Sequence, residues 1–498
     1  MKKYFAVLSF AFILPYFTSA QNMADALRYS VTQINGTARS GGMGNAFGAL
    51  GGDFTSVSIN PAGLGLYRSS EFSITPTFGQ TRVNSNYLQN NMSDRKYNLS
   101  LSNISYVSSI TAQNHGKTGL LSVNIGIGYN RLKDFNSNSL AGGNNAGSSI
   151  LDNFASNANS GNWSDFYEQL AWETDLLFKD ENNIYRHDME DSGYGQSHQK
   201  SISRQGSMDE YSFSLGLNFN HKLYVGASVG IVDLYYKESS SHMEWDANNS
   251  IDSFNELQFN SFLRTGGTGY NGKLGIIYKP VNQIRIGVAV HTPTFYNLND
   301  IFETSMSSSV TYNDGETVKY HTGIPPVSEY DYSLETPFRA IFSGAFIVGK
   351  KGLLSFDYEH VDYGSARLYR GGDGYQFASE NRDISLAYKS VGNLRFGGEY
   401  RFTDYFSLRG GYEYYPSAYA SSAFGFSQPN SGTDLVIYSC GIGYRIGSFY
   451  FDAAYRYSVS DYFETLYPAP VSDNYPSPDM ACFKSVRNKF IFTLGIKL

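Results

Sequence analysis

Beyond about residue 70 the chain alternates apolar and polar residues with period two, as a strand does when its two faces meet different surroundings. Leu121, Val123, Ile125, Ile127 and Tyr129 fall on one side, with Ser122, Asn124, Gly126, Gly128 and Asn130 on the other. The split recurs at Ile284, Ile286, Val288 and Val290 against Arg285, Gly287, Ala289 and His291, and again over the last residues, from Lys489 to Leu498. Read this way, the chain predicts about fourteen strands: 70–82, 97–111, 118–132, 208–220, 222–238, 266–279, 284–296, 336–348, 353–366, 388–402, 405–416, 432–446, 449–461 and 487–498.

The connections separate a barrel from a soluble sandwich. Every second gap is a tight turn, as at Gln113-Asn114-His115-Gly116, Asn220-His221, Pro280-Val281-Asn282, Lys350-Lys351-Gly352, Thr403-Asp404 and Gly447-Ser448. The gaps between these are long and rich in Asn, Ser, Asp and Gly, with 133–207 and 297–335 the longest. Short periplasmic turns alternating with long outer loops are the organisation of an outer-membrane barrel. The predicted fold is therefore all-β: a closed, transmembrane antiparallel β-barrel over 70–498, with both chain ends on the periplasmic side.

The start of the chain sets the compartment. Lys2 and Lys3, the apolar run Tyr4 to Phe17, and the small residues Thr18-Ser19-Ala20 read as a signal peptide over 1–20. Residues 21–69 do not alternate; Met23 to Ser30 suits a short helix, and the glycines between Gly41 and Gly52 suit close backbone packing, so this segment reads as a plug inside the lumen. Composition agrees: 41 Tyr, 35 Phe and 50 Gly accompany only 17% charged residues, below the roughly 25% of soluble proteins. Beyond the signal no run of about 18 apolar residues exists, so no helix is expected to span a bilayer. A formal charge of −7 argues against nucleic acid as a partner. The expected setting is the outer membrane, reached through the barrel-assembly machinery, as a monomer ringed by outer-membrane lipid.

Enzyme-like strings carry little. Gly226-Ala227-Ser228-Val229-Gly230 matches a nucleophile-elbow pattern but lies within an alternating strand. Asp246, Asn248, Ser250, Asp252 and Glu256 resemble a calcium loop that lacks its central Gly, and the eight His show no metal-ligand spacing. No catalysis, cofactor or metal is expected. Cys440 is placed facing lipid and Cys482 near the end of a long loop, both unpaired. Inward parity collects Lys273, Arg285, Asp357, Glu359, Arg395, Glu399, Arg401, Arg409, Glu413, Arg445, Asp452 and Arg456. Such charges either pair across a polar lumen or, as candidates Arg285, Arg395, Arg401, Arg409 and Arg445, greet the carboxylate of a passing ligand.

At Ile59-Asn60-Pro61-Ala62-Gly63-Leu64, with Gly41-Gly42-Met43-Gly44-Asn45-Ala46 before it and Ser73-Ile74-Thr75-Pro76-Thr77 after it, the chain resembles the plug of the FadL-type outer-membrane transporters. Gly272 to Pro280 with Ile284 to Gly287, Arg395 to Phe402 with Leu408 to Tyr412, and Ser439 to Arg445 with Phe451 to Tyr455 resemble later hairpins of that family. The chain departs from it in ending on Leu498 where an aromatic residue is usual. The resemblance implies transport of a hydrophobic ligand, a long-chain fatty acid or aromatic compound: capture in an apolar groove among the outer loops, a pocket in the barrel, release gated by the plug, and sideways exit through the wall. It makes Asn60, Pro61, Ala62 and Gly63 the gating candidates and Trp163, Phe166, Leu170, Trp172 and Phe178 the groove candidates, the latter also explicable as the loop's own packing. A branch resembling the same family serves the type IX secretion machinery, which leaves a protein-secretion accessory as the alternative.

Overall fold

The structure is a computed structural model that describes residues 23–112, 119–349, 351–423 and 426–498. The signal peptide and the turn Gln113 to Gly116 lie outside the described residues. Fourteen strands close an antiparallel barrel. They are β1 (Glu71–Tyr87), β2 (Asn90–Thr111), β3 (Leu120–Asp134), β4 (Ser197–Phe219), β5 (Leu223–Trp245), β6 (Phe254–Val281) and β7 (Ile284–His291). There follow β8 (Arg339–Val348), β9 (Gly352–Asp362), β10 (Ser390–Arg401), β11 (Phe406–Tyr415), β12 (Leu435–Ile446), β13 (Phe449–Thr465) and β14 (Met480–Lys497). Each pairs with its sequence neighbour, and β1 returns to β14 in the register Glu71↔Lys497, Phe78↔Phe490 and Asn86↔Cys482. Closure leaves no ladder edge at membrane depth, where an unpaired backbone group is costly.

The alternation sorts residues by environment. Ile125, Ile127, Phe213, Leu215, Ile286, Val288, Phe490 and Phe492 are exposed on the outer wall, while their polar neighbours are buried within. The lipid face holds Cys440, and both cysteines are free. Cys482 is not in a loop: it stands in β14 opposite Phe463.

Several strands run well past their predicted outer ends. β1 and β2 meet at a two-residue turn, Leu88-Gln89, with φ of 45° and 62°, where a fourteen-residue loop over 83–96 was expected. β5 and β6 likewise extend to Trp245 and from Phe254. The outward positions of these extensions, such as Asn84, Asn86, Ser239 and Ser241, are polar because they lie outside hydrocarbon, so the lipid-facing apolar signal stops at the membrane surface while pairing continues. The expected loop 297–335 is largely strand, Phe295–Thr311, Thr317–His321 and Val327–Glu335. Loop 133–207 contributes a strand, Ser137–Gly143, and the helices Ile150–Asn159, Glu168–Glu173 and Asp188–Ser192, packed as an outer lobe around Phe154, Leu170, Leu176, Met189 and Phe254.

Residues 23–69 lie inside the barrel. The helix Met23–Ser30 forms as its sequence suggests, but at the loop end: Tyr388 Oη, just before β10, donates to the Met23 carbonyl at 3.0 Å. The chain therefore descends through the lumen to β1, which corrects the expectation that both ends hang on the periplasmic side. The upper lumen is also not uniformly polar. Tyr29, Ile34, Met43 and Phe47 pack with Met208, Leu234, Tyr236 and Leu334 from the wall, since a filled lumen needs apolar contact as a soluble core does.

Candidate functional site

The plug is seated by glycines of the wall. Added β-carbons at Gly126 and Gly128 would strike Phe54, at Gly216 Leu64 and Gly65, at Gly226 Pro61, at Gly275 Asn60, at Gly287 Gly48, at Gly397 and Gly411 Met43 and Gly44, and at Gly441 Gly42. The plug thus circles the lumen in contact with β12, β11, β10, β7, β6, β5, β4 and β3, and the absent side chains let plug backbone, or the side chains of Phe54 and Asn60, approach the wall. This accounts for Gly226 in the nucleophile-like string: its neighbour is the plug. Asn60 locks the circuit. Its carboxamide oxygen accepts from Ala62 N at 3.1 Å, capping the short 3₁₀ helix Pro61–Leu66, and its Nδ2 donates to Gly48 O at 2.7 Å and Ile276 O at 3.3 Å. Pro61, at the first helical position, has no N–H to satisfy there. Ala62 is buried against Tyr224 and Ile277, and the Gly63 carbonyl accepts from Gly52 N at 3.1 Å.

The inward charges divide into two groups. Arg395 pairs with Glu359, which also holds Arg339, and Arg409 bridges Glu399 at 2.7 Å and Asp452 at 2.6 Å. Glu399 reaches into the plug as well, to Arg39 at 3.1 Å. Lys273 pairs with Glu210, which accepts from plug residue Ser58 at 2.9 Å, and Arg456 pairs with Glu413. Gly48 N donates to Asp357 at 3.0 Å. Arg285, Arg401 and Arg445 have no carboxylate within 4.0 Å among the described residues, and all three stand at the periplasmic ends of their strands. Arg285 donates to the plug at Leu50 O, 2.7 Å. Arg395 and Arg409 are therefore committed within the barrel, whereas Arg285, Arg401 and Arg445 keep unneutralised charge. Glu210 and Arg339 escaped the inward set although their parity in β4 and β8 marks them; Arg39 lies in the plug, where no period guides the eye.

The wall is broken on one side. β7 stops at His291, Thr292-Pro293-Thr294 intervenes, and the strand resumes over Phe295–Thr311. On its neighbour, Val327–Glu335 is separated from β8 by Thr336-Pro337-Phe338, while on the other side β6 runs past unbroken. Neither proline can donate to a ladder, and threonines close the gap: Gly272 N donates to Thr292 Oγ1 at 2.9 Å and Thr294 N to Thr336 Oγ1 at 2.8 Å. Behind the break a cavity of about 50 Å³, room for on the order of one to three waters, is lined by Tyr29, Glu210, Lys273, His291, Thr292 and Pro337. On the lipid side lies an apolar groove of about 670 Å³ between Ile127, Phe213, Val229, Leu274 and Phe338, and it shares Lys273 and Thr292 with the inner cavity.

The aromatic loop segment does not form one amphipathic helix. Leu170 is buried in the lobe core. Phe166 meets Phe302 at 5.6 Å between ring centroids. Trp163 and Trp172 are exposed and flank Tyr185, at 5.2 and 5.9 Å, and Phe178 is exposed nearby in sequence. Of the five groove candidates, Trp163 and Trp172 thus share one surface cluster, and Leu170 belongs to the packing beneath. The calcium-like segment closes on itself, Asp246 accepting from Asn248 N and Ile251 N at 3.0 and 2.7 Å.

Comparisons with known proteins agree with this architecture. Residues 188–465 match the family described as outer membrane protein transport protein (OMPP1/FadL/TodX). A FadL homologue of Pseudomonas aeruginosa superposes with a TM-score of 0.54 at 13% identity, covering 93% of this chain and 98% of its own. The toluene transporter TodX of Pseudomonas putida gives 0.51 at 12%, covering 94% and 99%. At such identities the likeness concerns the fold. No curated protein sequence matches the chain.

Proposed function

The chain belongs to the outer membrane protein transport family (OMPP1/FadL/TodX), and from that premise we propose that it carries hydrophobic small molecules, such as long-chain fatty acids or aromatic compounds, inward through the outer membrane. The observation that carries this reading is the broken wall: an inner cavity and an apolar groove in the lipid face meet at Thr292 and Lys273, beside the plug. Ligand is captured on the outer lobe, where Trp163 and Trp172 offer aromatic surface. It reaches the upper lumen by replacing apolar contacts of the helix Met23–Ser30, each buried methylene contributing about 0.8 kcal/mol. Release follows when the segment Asn60 to Gly63 shifts from its glycine seat and the break widens, so the apolar part leaves sideways into lipid without crossing the charged lower lumen. Arg285, Arg401 and Arg445 are left to meet an acidic headgroup.

Uptake of labelled fatty acid and of toluene by cells expressing the protein, compared with cells lacking it, tests the reading. Uptake above background is expected for at least one ligand, with a changed rate in an Asn60→Ala, Pro61→Ala variant. Equal uptake with and without the protein for both ligands would sink it.

A further inference from the structure

The outer wall carries two pairs of cations that have no acidic partner. Arg82 on β1 lies directly across from Arg95 on β2, and Lys237 on β5 directly across from Arg264 on β6. Like charges placed opposite each other destabilise a ladder. Arg82, Arg95 and Arg264 are exposed, and among the described residues none of the four cations lies within 4.0 Å of a carboxylate. The nearest acids by register are Asp94, of opposite parity to Arg95, Glu238, of opposite parity to Lys237 and paired with Arg204, and Glu303, which faces Phe262 rather than Arg264.

Both pairs stand above outward-facing aromatic residues. Arg95 follows Tyr97 and Leu99 on the outward face, 58% and 80% exposed, and Phe78 stacks on Tyr97 at 6.1 Å. Lys237 follows the exposed Tyr235, and its ammonium lies 5.1 Å from the ring centre of Phe262. With ~3.3 Å per residue and a tilt of about 40°, Arg82 stands roughly 28 Å and Lys237 roughly 35 Å above the periplasmic ends of their strands, both outside an apolar band of about 25 Å. Between Asp94, next to Arg95, and Phe262, which packs against Lys237, runs a groove of about 450 Å³ lined by the hydroxyls of Ser201, Ser203, Ser239, Ser241 and Ser305, with Glu303 at its edge.

We propose that the pairs Arg82–Arg95 and Lys237–Arg264 bind the phosphates of an outer-leaflet glycolipid whose sugars occupy the serine-lined groove. A phosphate between two cations removes their mutual repulsion and gains charge-assisted hydrogen bonds from the guanidinium groups. The aromatic residues immediately below meet the first carbons of its acyl chains.

The protein in uncharged detergent is titrated with bisphosphorylated lipid A, with the same lipid stripped of phosphate, and with inorganic phosphate, and bound lipid is counted by native mass spectrometry. Saturable binding of the bisphosphorylated lipid is expected, weakened about tenfold in Arg82→Gln, Arg95→Gln and in Lys237→Gln, Arg264→Gln, and restored in Arg82→Lys, Arg95→Lys. A gel shift on heating verifies that each variant keeps its barrel. Equal binding of the stripped lipid, unchanged binding by both Gln variants, or displacement by millimolar phosphate would each overturn the proposal.

Discussion

The carboxamide of Asn60 occupies the space that a side chain at Gly275 would need, so the plug's cap and the wall of β6 share one volume. The same exclusion operates at Gly226 against Pro61 and at Gly287 against Gly48. The seating of the plug therefore depends on which wall residues are missing a β-carbon, as much as on any bond the plug makes.

Gly275→Val is expected to unseat the plug without unfolding the barrel, at a cost of roughly 1–3 kcal/mol for overpacking. Single-channel recording in planar bilayers should then show small-ion leakage that the wild type lacks. Gly344→Val provides the control, because a β-carbon there meets nothing within 4 Å and the position faces lipid. Equal conductance of the two variants would refute the glycine seat.

Arg409 and Arg445 are both inward arginines at the lower end of the barrel, yet opposite outcomes are expected. Arg409→Gln strands Asp452 and leaves Glu399 with Arg39 alone, and losing one partner of a buried pair costs about 3–5 kcal/mol. Arg445→Gln removes a cation with no carboxylate partner within 4.0 Å among the described residues and should cost under about 1 kcal/mol. Urea unfolding followed by the heat-dependent gel shift measures both. If Arg445→Gln destabilises as much as Arg409→Gln, the division into committed and free arginines fails.

The barrel was legible because a strand in lipid must alternate and must pair round to itself, and both demands write directly into residues such as Ile125, Gly126 and Ile127. The plug motif at Asn60 was legible only through family resemblance, since nothing periodic marks it. Three features were not. The extension of β1 to Tyr87 has a polar outer face, and its inner face, Val83, Ser85 and Tyr87, is buried only because a lobe distant in sequence packs on it. The descent of Met23 from the loop end depends on contacts with Tyr388, far away in sequence. The free state of Arg401 depends on where carboxylates are absent, which parity does not report.

The outer lobe should weaken with rising pH in mildly acidic solution. Burial pushes the Asp188 carboxyl up to about 6; His187 opposes this, while Asp175, Asp191 and Asp252 add to it. An acid whose folded value is raised holds its proton more tightly when folded, so the stabilising contribution is full below the ordinary value of 3.8 and is lost as pH climbs to about 6. Limited proteolysis of the lobe should accelerate between those values, and Asp188→Asn should flatten the profile. A variant with the wild-type slope would assign the pH dependence elsewhere.

The wall break yields the sharpest functional prediction. Pro293 and Pro337 each withhold an N–H from the ladders at the break, which is spanned by two threonine side chains and by two backbone bonds, Thr292 N to Gly272 O at 2.9 Å and Thr336 N to Thr294 O at 3.1 Å. Replacing both by Val supplies two donors and a residue that favours extended pairing, so continuous strands from β7 and β8 into their outer extensions become favourable. The proposed capture surface on the lobe is remote from the change, so binding should keep its affinity. Passage should slow on the order of tenfold, corresponding to about 1.4 kcal/mol on the barrier. Stopped-flow entry of a fluorescent fatty acid into liposomes holding the protein separates the two steps. Loss of binding with unchanged entry, or no change in either, would show that ligand does not leave through Thr292 and Pro337.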